Sequence, residues 1–300
     1  MSRHAVRVSV IIPFLNPGSF LRDAVESVLA QDFRDFELIL ADDGSTEQES
    51  ALARGMVERA AGRIRYVDHP GHENRGISAT RNLGLRHARG RYVTFLDADD
   101  LWLPGKLTEQ IGILDSHPEV PMLCAPARWW YSWTGNAVDA HRDFAQRWSV
   151  PVDCVVEPPA LLRQSLADEW AVPHDVVLRA EAALSVGGWE ESFRGMYEDQ
   201  VFQAKMCISR PVYVSGTERY WYRQHANACT SQFHAAGAPG EARTRYLAWL
   251  ESYLREPGRD RGGVLRTVRG ELFRRRWPRV SRVIRVARRV ASGGGLRSQA

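Results

Sequence analysis

The segment Tyr92-Val93-Thr94-Phe95-Leu96-Asp97-Ala98-Asp99-Asp100 runs five strand-forming residues straight into three carboxylates. Packing gives no reason to cluster acids there, because like charges repel and desolvation is costly. A strand end that holds Asp97 and Asp99 one small residue apart is a hard-oxygen site. It suits Mg²⁺ or Mn²⁺ carrying a phosphorylated ligand. The competing reading makes one Asp the cap of a following helix and leaves the others solvated.

A second acidic pair narrows the choice. Val6–Phe14 is a nearly continuous apolar run, as expected of a strand covered on both faces. Asn16-Pro17-Gly18-Ser19 then reads as a turn, and Leu21, Ala24, Val25, Val28 and Leu29 as one face of a helix. Phe36–Ala41 is a second buried strand, closed by Asp42-Asp43-Gly44-Ser45. A helix over Thr46–Ala61, a strand over Ile64–Val67, a helix over Ser78–Ala88 and a strand over Tyr92–Leu96 follow. Alternating strands and helices predict an α/β chain with a doubly wound, mostly parallel, Rossmann-like sheet. Ligands of such sheets bind beyond the carboxyl ends of the strands, where both acidic clusters fall.

Farther on the pattern loosens. A helix is expected at Leu107–Leu114 and strands at Met122–Ala127, His174–Arg179, Tyr213–Ser215 and Tyr220–His225. Short helices are expected at Ala180–Val186 and Glu198–Ile208, with residues 128–172 irregular. The 300 residues are 44% hydrophobic, enough for one large domain with an appendage. No run approaches the ~18 apolar residues of a membrane span, and no signal peptide is expected. The four cysteines form no C-x-x-C, which fits buried thiols in a reducing, cytoplasmic setting.

The net charge of +4 is uneven: residues 255–300 carry fourteen arginines against three acids, a balance of +11, which leaves −7 for the first 254 residues. An acidic body with a basic tail is not a nucleic-acid binder.

Taken in order, these motifs resemble glycosyltransferase family 2, with its GT-A fold. They are Val8-Ser9-Val10-Ile11-Ile12-Pro13-Phe14-Leu15-Asn16, Ala41-Asp42-Asp43-Gly44-Ser45-Thr46, Asn74-Arg75-Gly76 with Ala79-x-Arg81-Asn82-x-Gly84, and Phe95-Leu96-Asp97-Ala98-Asp99-Asp100. The likeness spans roughly residues 8–230. It implies an inverting, metal-dependent transfer of one sugar from a nucleoside-diphosphate sugar, of UDP or dTDP type, to a carbohydrate or lipid-linked hydroxyl. It implies base contacts from Pro13 and Asp43, and puts Asn74, Arg81 and Asn82 over the nucleotide. Arg81 is then a partner for a phosphate or for a neighbouring carboxylate. Asp97 and Asp99 match the D-x-D motif, with Mn²⁺ or Mg²⁺ held by Asp99, Asp97 and His225. Asp100 is expected to support that site or to cap a helix. Gly187-Gly188-Trp189 and Glu198-Asp199 resemble a later motif in which the Asp is the catalytic base, with Trp189 a platform for a sugar. His174, Trp102 and Trp170 are candidate acceptor contacts.

The expected division is a nucleotide-sugar half over 1–100, an acceptor and catalytic half over 101–235, and a basic helical extension over 236–300. No Q-x-x-R-W motif of the processive synthases follows Asp199, so single transfer is expected. Two rival readings remain: a sugar-nucleotide nucleotidyltransferase, or an inactive nucleotide-sugar-binding module. Nucleotidyltransferases carry a Gly-rich basic loop after the first strand, where this chain has Phe14-Leu15-Asn16-Pro17-Gly18. Intact Asp43, Asp97, Asp99 and Asp199 argue against an inactive module. In the tail, Trp277, Val280, Ile284, Ala287 and Ala291 recur at helical spacing between arginines. That stripe reads either as a helix on the inner face of an anionic membrane or as one packed on the acidic body.

Overall fold

The computed structural model describes residues 6–60, 62–167, 172–229, 231–232 and 239–278. It divides into two compact units, residues 1–236 and 237–300. The first unit is built on an eight-stranded mixed sheet. Its strands are β1 (Val6–Phe14), β2 (Phe36–Asp42), β3 (Ile64–Asp68), β4 (Gly90–Phe95), β6 (Met122–Ala125), β9 (Cys154–Val156), β10 (Asp175–Arg179) and β11 (Val212–Val214). Their order is β3-β2-β1-β4-β10-β6-β11-β9. The strands β3, β2, β1 and β4 run parallel, and β10 enters antiparallel beside β4. From Val8 to Phe14 every residue of β1 is buried, as the unbroken apolar run requires.

Helices α1 (Phe20–Leu29), α2 (Glu47–Arg59) and α3 (Ile77–His87) connect the parallel strands. Helices α4 (Lys106–Ser116), α5 (Ala160–Ala167), α6 (Ala180–Ser185) and α7 (Glu198–Cys207) follow. A second sheet of four strands has the order β5-β12-β7-β8, with β5 at Leu101–Trp102, β7 at Ala127–Trp130, β8 at Phe144–Ala145 and β12 at Tyr220–Arg223. Residues 128–172 are therefore not irregular throughout, as the sequence reading expects. Strand runs of two to four residues are too short to show a period, and their aromatic pairs are cross-strand partners.

The second unit contributes α8 (Pro239–Leu254) and α9 (Val264–Arg276). They are tied by Arg243 to Glu271 at 3.1 Å and by Arg269 to Glu251 at 3.0 Å. Of the tail stripe only Trp277 is described, and it is exposed; positions 280–291 lie outside the described residues.

Within the first unit lies a fully buried ion pair. Lys106 Nζ sits 3.0 Å from Asp175 Oδ1, 2.9 Å from Gln110 Oε1 and 4.0 Å from the Trp102 ring centre. Gln110 Nε2 donates to the other carboxylate oxygen at 2.8 Å. Trp102 is thus a buried partner of a buried cation, which removes it from the acceptor contacts expected above. Burial lowers the Lys106 pKa from the usual lysine value and Asp175 opposes that fall. Deleting one member of such a pair strands the other charge in the core. Lys106→Met should cost about 3–5 kcal/mol in denaturant unfolding, and adding Asp175→Asn should recover most of it. Equal stability of the single variant and the wild type would contradict the pairing.

Candidate functional site

Parallel register brings the carboxyl ends of β1, β2 and β4 to one edge. Asp43 N donates to Phe14 O at 2.9 Å and Leu96 N to Ile11 O at 3.0 Å, so both acidic turns leave the sheet beside the end of β1. Asn16 and Ser45 lock the first two turns together: Asn16 N donates to Ser45 Oγ at 3.0 Å and Thr46 N to Asn16 Oδ1 at 2.8 Å. Pro13 is buried within β1, opposite Ala41.

The two acids of Asp42-Asp43 do different work. Asp42 is fully buried and accepts from Ser45 N, Ser50 Oγ and Tyr66 OH, which shapes the turn. Asp43 accepts from Arg75 N at 2.8 Å and from Gly76 N at 2.9 Å, so it ties down the loop before α3. That loop crosses directly above Gly44, where an added Cβ would meet backbone atoms of residues 72–74 at 2.7–2.9 Å. Gly44 also has φ +79, so glycine is required there twice over. His69 lies buried behind Asp43, 3.7 Å from its carboxylate and 2.9 Å from Thr80 Oγ1. Burial lowers its pKa despite the nearby Asp43. Nothing in the sequence around His69 marks it as that support.

Helix α3 connects this edge to the later motifs. Arg81 Nη2 reaches Asp97 Oδ1 at 2.8 Å and Nη1 reaches Glu198 Oε1 at 3.4 Å. Arg81 thus meets neighbouring carboxylates, one of the two kinds of partner that the sequence allows it. Asn82 is turned to the loop before α7. Its amide donates to Trp189 O and Glu191 Oε1 and accepts from Trp189 N at 2.8 Å, clamping the loop before α7. Gly188 makes room for that clamp, since a Cβ there would lie 2.4 Å from Asn82 Oδ1. Asn74 O accepts from Arg194 Nη2 at 3.0 Å, in the same loop.

Trp189 is only 5% exposed, stacked on Phe202 at 3.9 Å and edge-on to Phe95 at 4.4 Å. It is a core residue that seats the loop, and the sugar platform expected of it is not there. The correction has a plain cause: a Trp beside paired glycines reads the same whether it fills a core or lines a cleft.

Tyr197 enters α7 in the left-handed region, φ 74, and places Glu198 and Asp199 in the helix's first turn. Burial and then the adjacent Asp199 push Glu198 up to about 8, with Arg81 opposing.

Asp99 and His225 come together across 126 positions of sequence, with Asp99 Oδ2 2.9 Å from His225 Nε2 and side chains 30% and 12% exposed. The His225 ring rests against Phe20 at 4.9 Å. Asp100 neither caps a helix nor faces the site. It is fully buried, accepting from Tyr220 OH at 2.7 Å and Arg223 N at 2.8 Å, which pins β12 and hence His225 beside the D-x-D turn. Burial, then Asp99 and Asp97, hold its pKa well above the usual carboxylate range. Helix α4 starts instead at Lys106 after left-handed Gly105.

Among the described residues no three His, Cys, Asp or Glu side chains converge on one metal position. The Asp99–His225 pair nonetheless supplies a carboxylate and an imidazole, both of types that Mn²⁺ accepts, whereas Mg²⁺ would use the carboxylate, and Asp99 is 30% exposed, open to further ligands. Asp97 is turned to Arg81. His174 lies near Asp199 and Asp97, while Trp170 lies outside the described residues.

The Glycosyl transferase family 2 profile matches residues 9–169. An uncharacterized glycosyltransferase of Rickettsia felis is 40% identical over 114 residues, covering 38% of this chain and 18% of that protein. This chain therefore spans less than a fifth of that curated relative's length. The structure of S. aureus TarS 1–349 in complex with UDP-GlcNAc superposes with a TM-score of 0.65 at 19% identity, covering 91% of this chain and 73% of the other. Mannosyltransferase PcManGT from Pyrobaculum calidifontis, in complex with GDP-Man and Mn²⁺, gives a TM-score of 0.59 at 18% identity, covering 96% and 76%. At such identities the likeness speaks for the fold alone. The family match covers more than half of the sequence and contains both acidic turns, and on that ground the chain belongs to glycosyl transferase family 2, with the GT-A fold.

Proposed function

We propose that this chain moves one sugar from a nucleoside-diphosphate sugar, of UDP or dTDP type, to a hydroxyl of a carbohydrate or lipid-linked acceptor, by a single displacement with inversion. One observation carries the reading: Arg81 bridges Asp97 of the D-x-D turn to Glu198 at the start of α7, so donor acids and catalytic acids share one edge. The solved neighbours bound to UDP-GlcNAc and to GDP-Man with Mn²⁺ support a nucleotide-sugar donor and a divalent ion.

In this reading residues 1–100 bind the donor. The turn after β1 with Pro13, and Asp43 with its tethered loop, border the base and ribose, and Asp43 keeps acceptor capacity beyond its backbone contacts. Arg81 holds Asp97 in place. Asp99 and His225 would hold Mn²⁺, and Asp99 would hold Mg²⁺, with Asp97 close by. When bound, the ion neutralises charge building on the departing diphosphate. Residues 101–235 supply the acceptor side. The acceptor hydroxyl gives its proton to an Asp199 carboxylate oxygen as its own oxygen bonds to the anomeric carbon. The bond from that carbon to the phosphate oxygen breaks with its electron pair leaving on the diphosphate. Glu198 keeps a proton readily, which lessens repulsion beside Asp199.

The extension from 236 onward is proposed as a peripheral contact with anionic membrane at the cytoplasmic face. Phe273 and Trp277 are exposed beside Arg274, Arg275 and Arg276, a pairing of apolar and cationic groups suited to a headgroup layer. No helix among the described residues is long and apolar enough to cross a membrane.

Three outcomes are expected. Asp99→Ala should abolish transfer and remove the Mn²⁺ dependence of UDP binding in calorimetry while leaving the circular dichroism unchanged; metal-dependent binding at wild-type affinity would end the metal assignment. Asp199→Asn is nearly isosteric and should keep donor binding while turnover falls about 10²-fold or more. Near-normal turnover, or a product with retained anomeric configuration, would rule out the single displacement. A chain ending near Pro257 should lose co-sedimentation with phosphatidylserine vesicles that the full chain shows at low salt; equal sedimentation of the two would exclude the tail as the anchor.

A further inference from the structure

Three aromatic side chains form one row across the second sheet. Trp129 on β7 is the direct register partner of Phe144 on β8 and of Tyr222 on β12. Their rings touch accordingly: Trp129 stacks on Phe144 at 5.0 Å and 11°, and meets Tyr222 edge-on at 5.5 Å. His174, just before β10, continues the row, stacked on Tyr222 at 4.6 Å and 20° and edge-on to Trp129 at 5.1 Å. Trp129 is the buried floor, Phe144 is 46% exposed, and Tyr222 and His174 are partly exposed. The row therefore runs from solvent at Phe144 inward to His174.

The backbone that carries His174 is fixed on both sides. Gln146 Nε2 donates to Val172 O at 2.7 Å, and Gln203 Nε2 donates to Pro173 O at 2.7 Å. Gln203 belongs to α7, the helix that begins with Glu198 and Asp199. Burial lowers the pKa of the imidazole from its usual value, with Asp199 and Asp97 opposing that fall and Arg81 adding to it. A neutral imidazole offers one donor and one acceptor nitrogen, which suits a hydroxyl that must be held while it loses a proton.

We infer that Phe144, Trp129, Tyr222 and His174 form the acceptor subsite, that the acceptor lays a pyranose face on this row, and that His174 orients its nucleophilic hydroxyl toward Asp199. The inference rests on Asp199 being the base. The chemistry favours a sugar over a polyol phosphate for a stated reason. Aromatic faces carry partial negative charge, which attracts the C–H face of a pyranose and repels a phosphate. Arg81, the cation in reach of His174, is already taken by Asp97 and Glu198. His174 is a positioning residue in this scheme.

The test is saturation-transfer NMR on the full chain with methyl glucopyranoside, methyl galactopyranoside and methyl N-acetylglucosaminide, each beside glycerol 3-phosphate. At least one pyranoside should receive saturation on its ring C–H protons, and glycerol 3-phosphate should not. Phe144→Ala and His174→Ala should each weaken the affinity of that pyranoside about tenfold. His174→Gln, which keeps a donor and an acceptor, should restore it to within about threefold of the wild type. Phe144 lies at the surface, so its variant stays readable even if His174→Ala fails to fold. No saturation of any pyranoside, stronger transfer to glycerol 3-phosphate, or undiminished binding in Phe144→Ala overturns the subsite. A Gln variant as weak as the Ala variant overturns the role of His174. Failure of the base assignment appears in the turnover of Asp199→Asn, and failure of the subsite in pyranoside binding by Phe144→Ala.

Discussion

Mutual repulsion of carboxylates is the constraint that the rest of this structure answers. Asp42, Asp43, Asp97, Asp99, Asp100, Glu198 and Asp199 are carried by turns and a helix start around one sheet edge, and several are buried. Each of the first five is met by its own set of partners. Asp42 takes hydroxyls and a backbone N–H, Asp43 two backbone N–H groups, and Asp97 a guanidinium. Asp100 takes a phenol and a backbone N–H, and Asp99 meets an imidazole. Buried acids are tolerable only when hydrogen-bonded or paired, so these contacts are conditions for the fold as well as for the site.

The same contacts explain how distant segments are held in register. Asp43 anchors the loop that leads into α3, and α3 sends Arg81 to the D-x-D turn and Asn82 to the Trp189 loop. Ser78 Oγ adds a bond to Phe193 O at 2.9 Å. Lys205 on α7 reaches back to Gly188 O at 3.0 Å. The helix that bears Asp199 is thus referenced through α3 to the sheet edge of the two acidic turns, over more than a hundred residues of sequence. The proposed role of Asp199 as base depends on such rigid support, because small misplacements of a catalytic group are costly in rate.

The second sheet is built differently. Its strands are short, and aromatic rings rather than aliphatic side chains fill it. Arg223 lies 4.5 Å from the Phe20 ring centre and 5.1 Å from that of Trp130, on the alternate positions to Trp129 and Tyr222. One strand pair therefore serves two purposes through its pleat: alternate residues point toward the Phe20 and His225 side and toward the row that ends at His174.

The sequence by itself determined the alternation of β1 to β4 with α1 to α3, because long buried strands and amphipathic helices leave periodic traces. It also determined the placing of Asp42-Asp43 and Asp97-Ala98-Asp99 beyond strand ends, since acids seldom follow apolar runs without cause. It identified Asp199 as a carboxylate worth attention, through likeness to a motif. The tertiary structure alone decided which acid does what. Asp43 holds a loop, Asp100 is a buried latch for β12, and Trp189 and Trp102 are core residues, as no local pattern distinguishes a buried Trp from a cleft Trp. His69 behind Asp43, the Arg81 bridge and the row from Phe144 to His174 depend on pairings between residues far apart in the chain. Such pairings are set by sheet order and register, and register is a property of two strands together, never of one read alone.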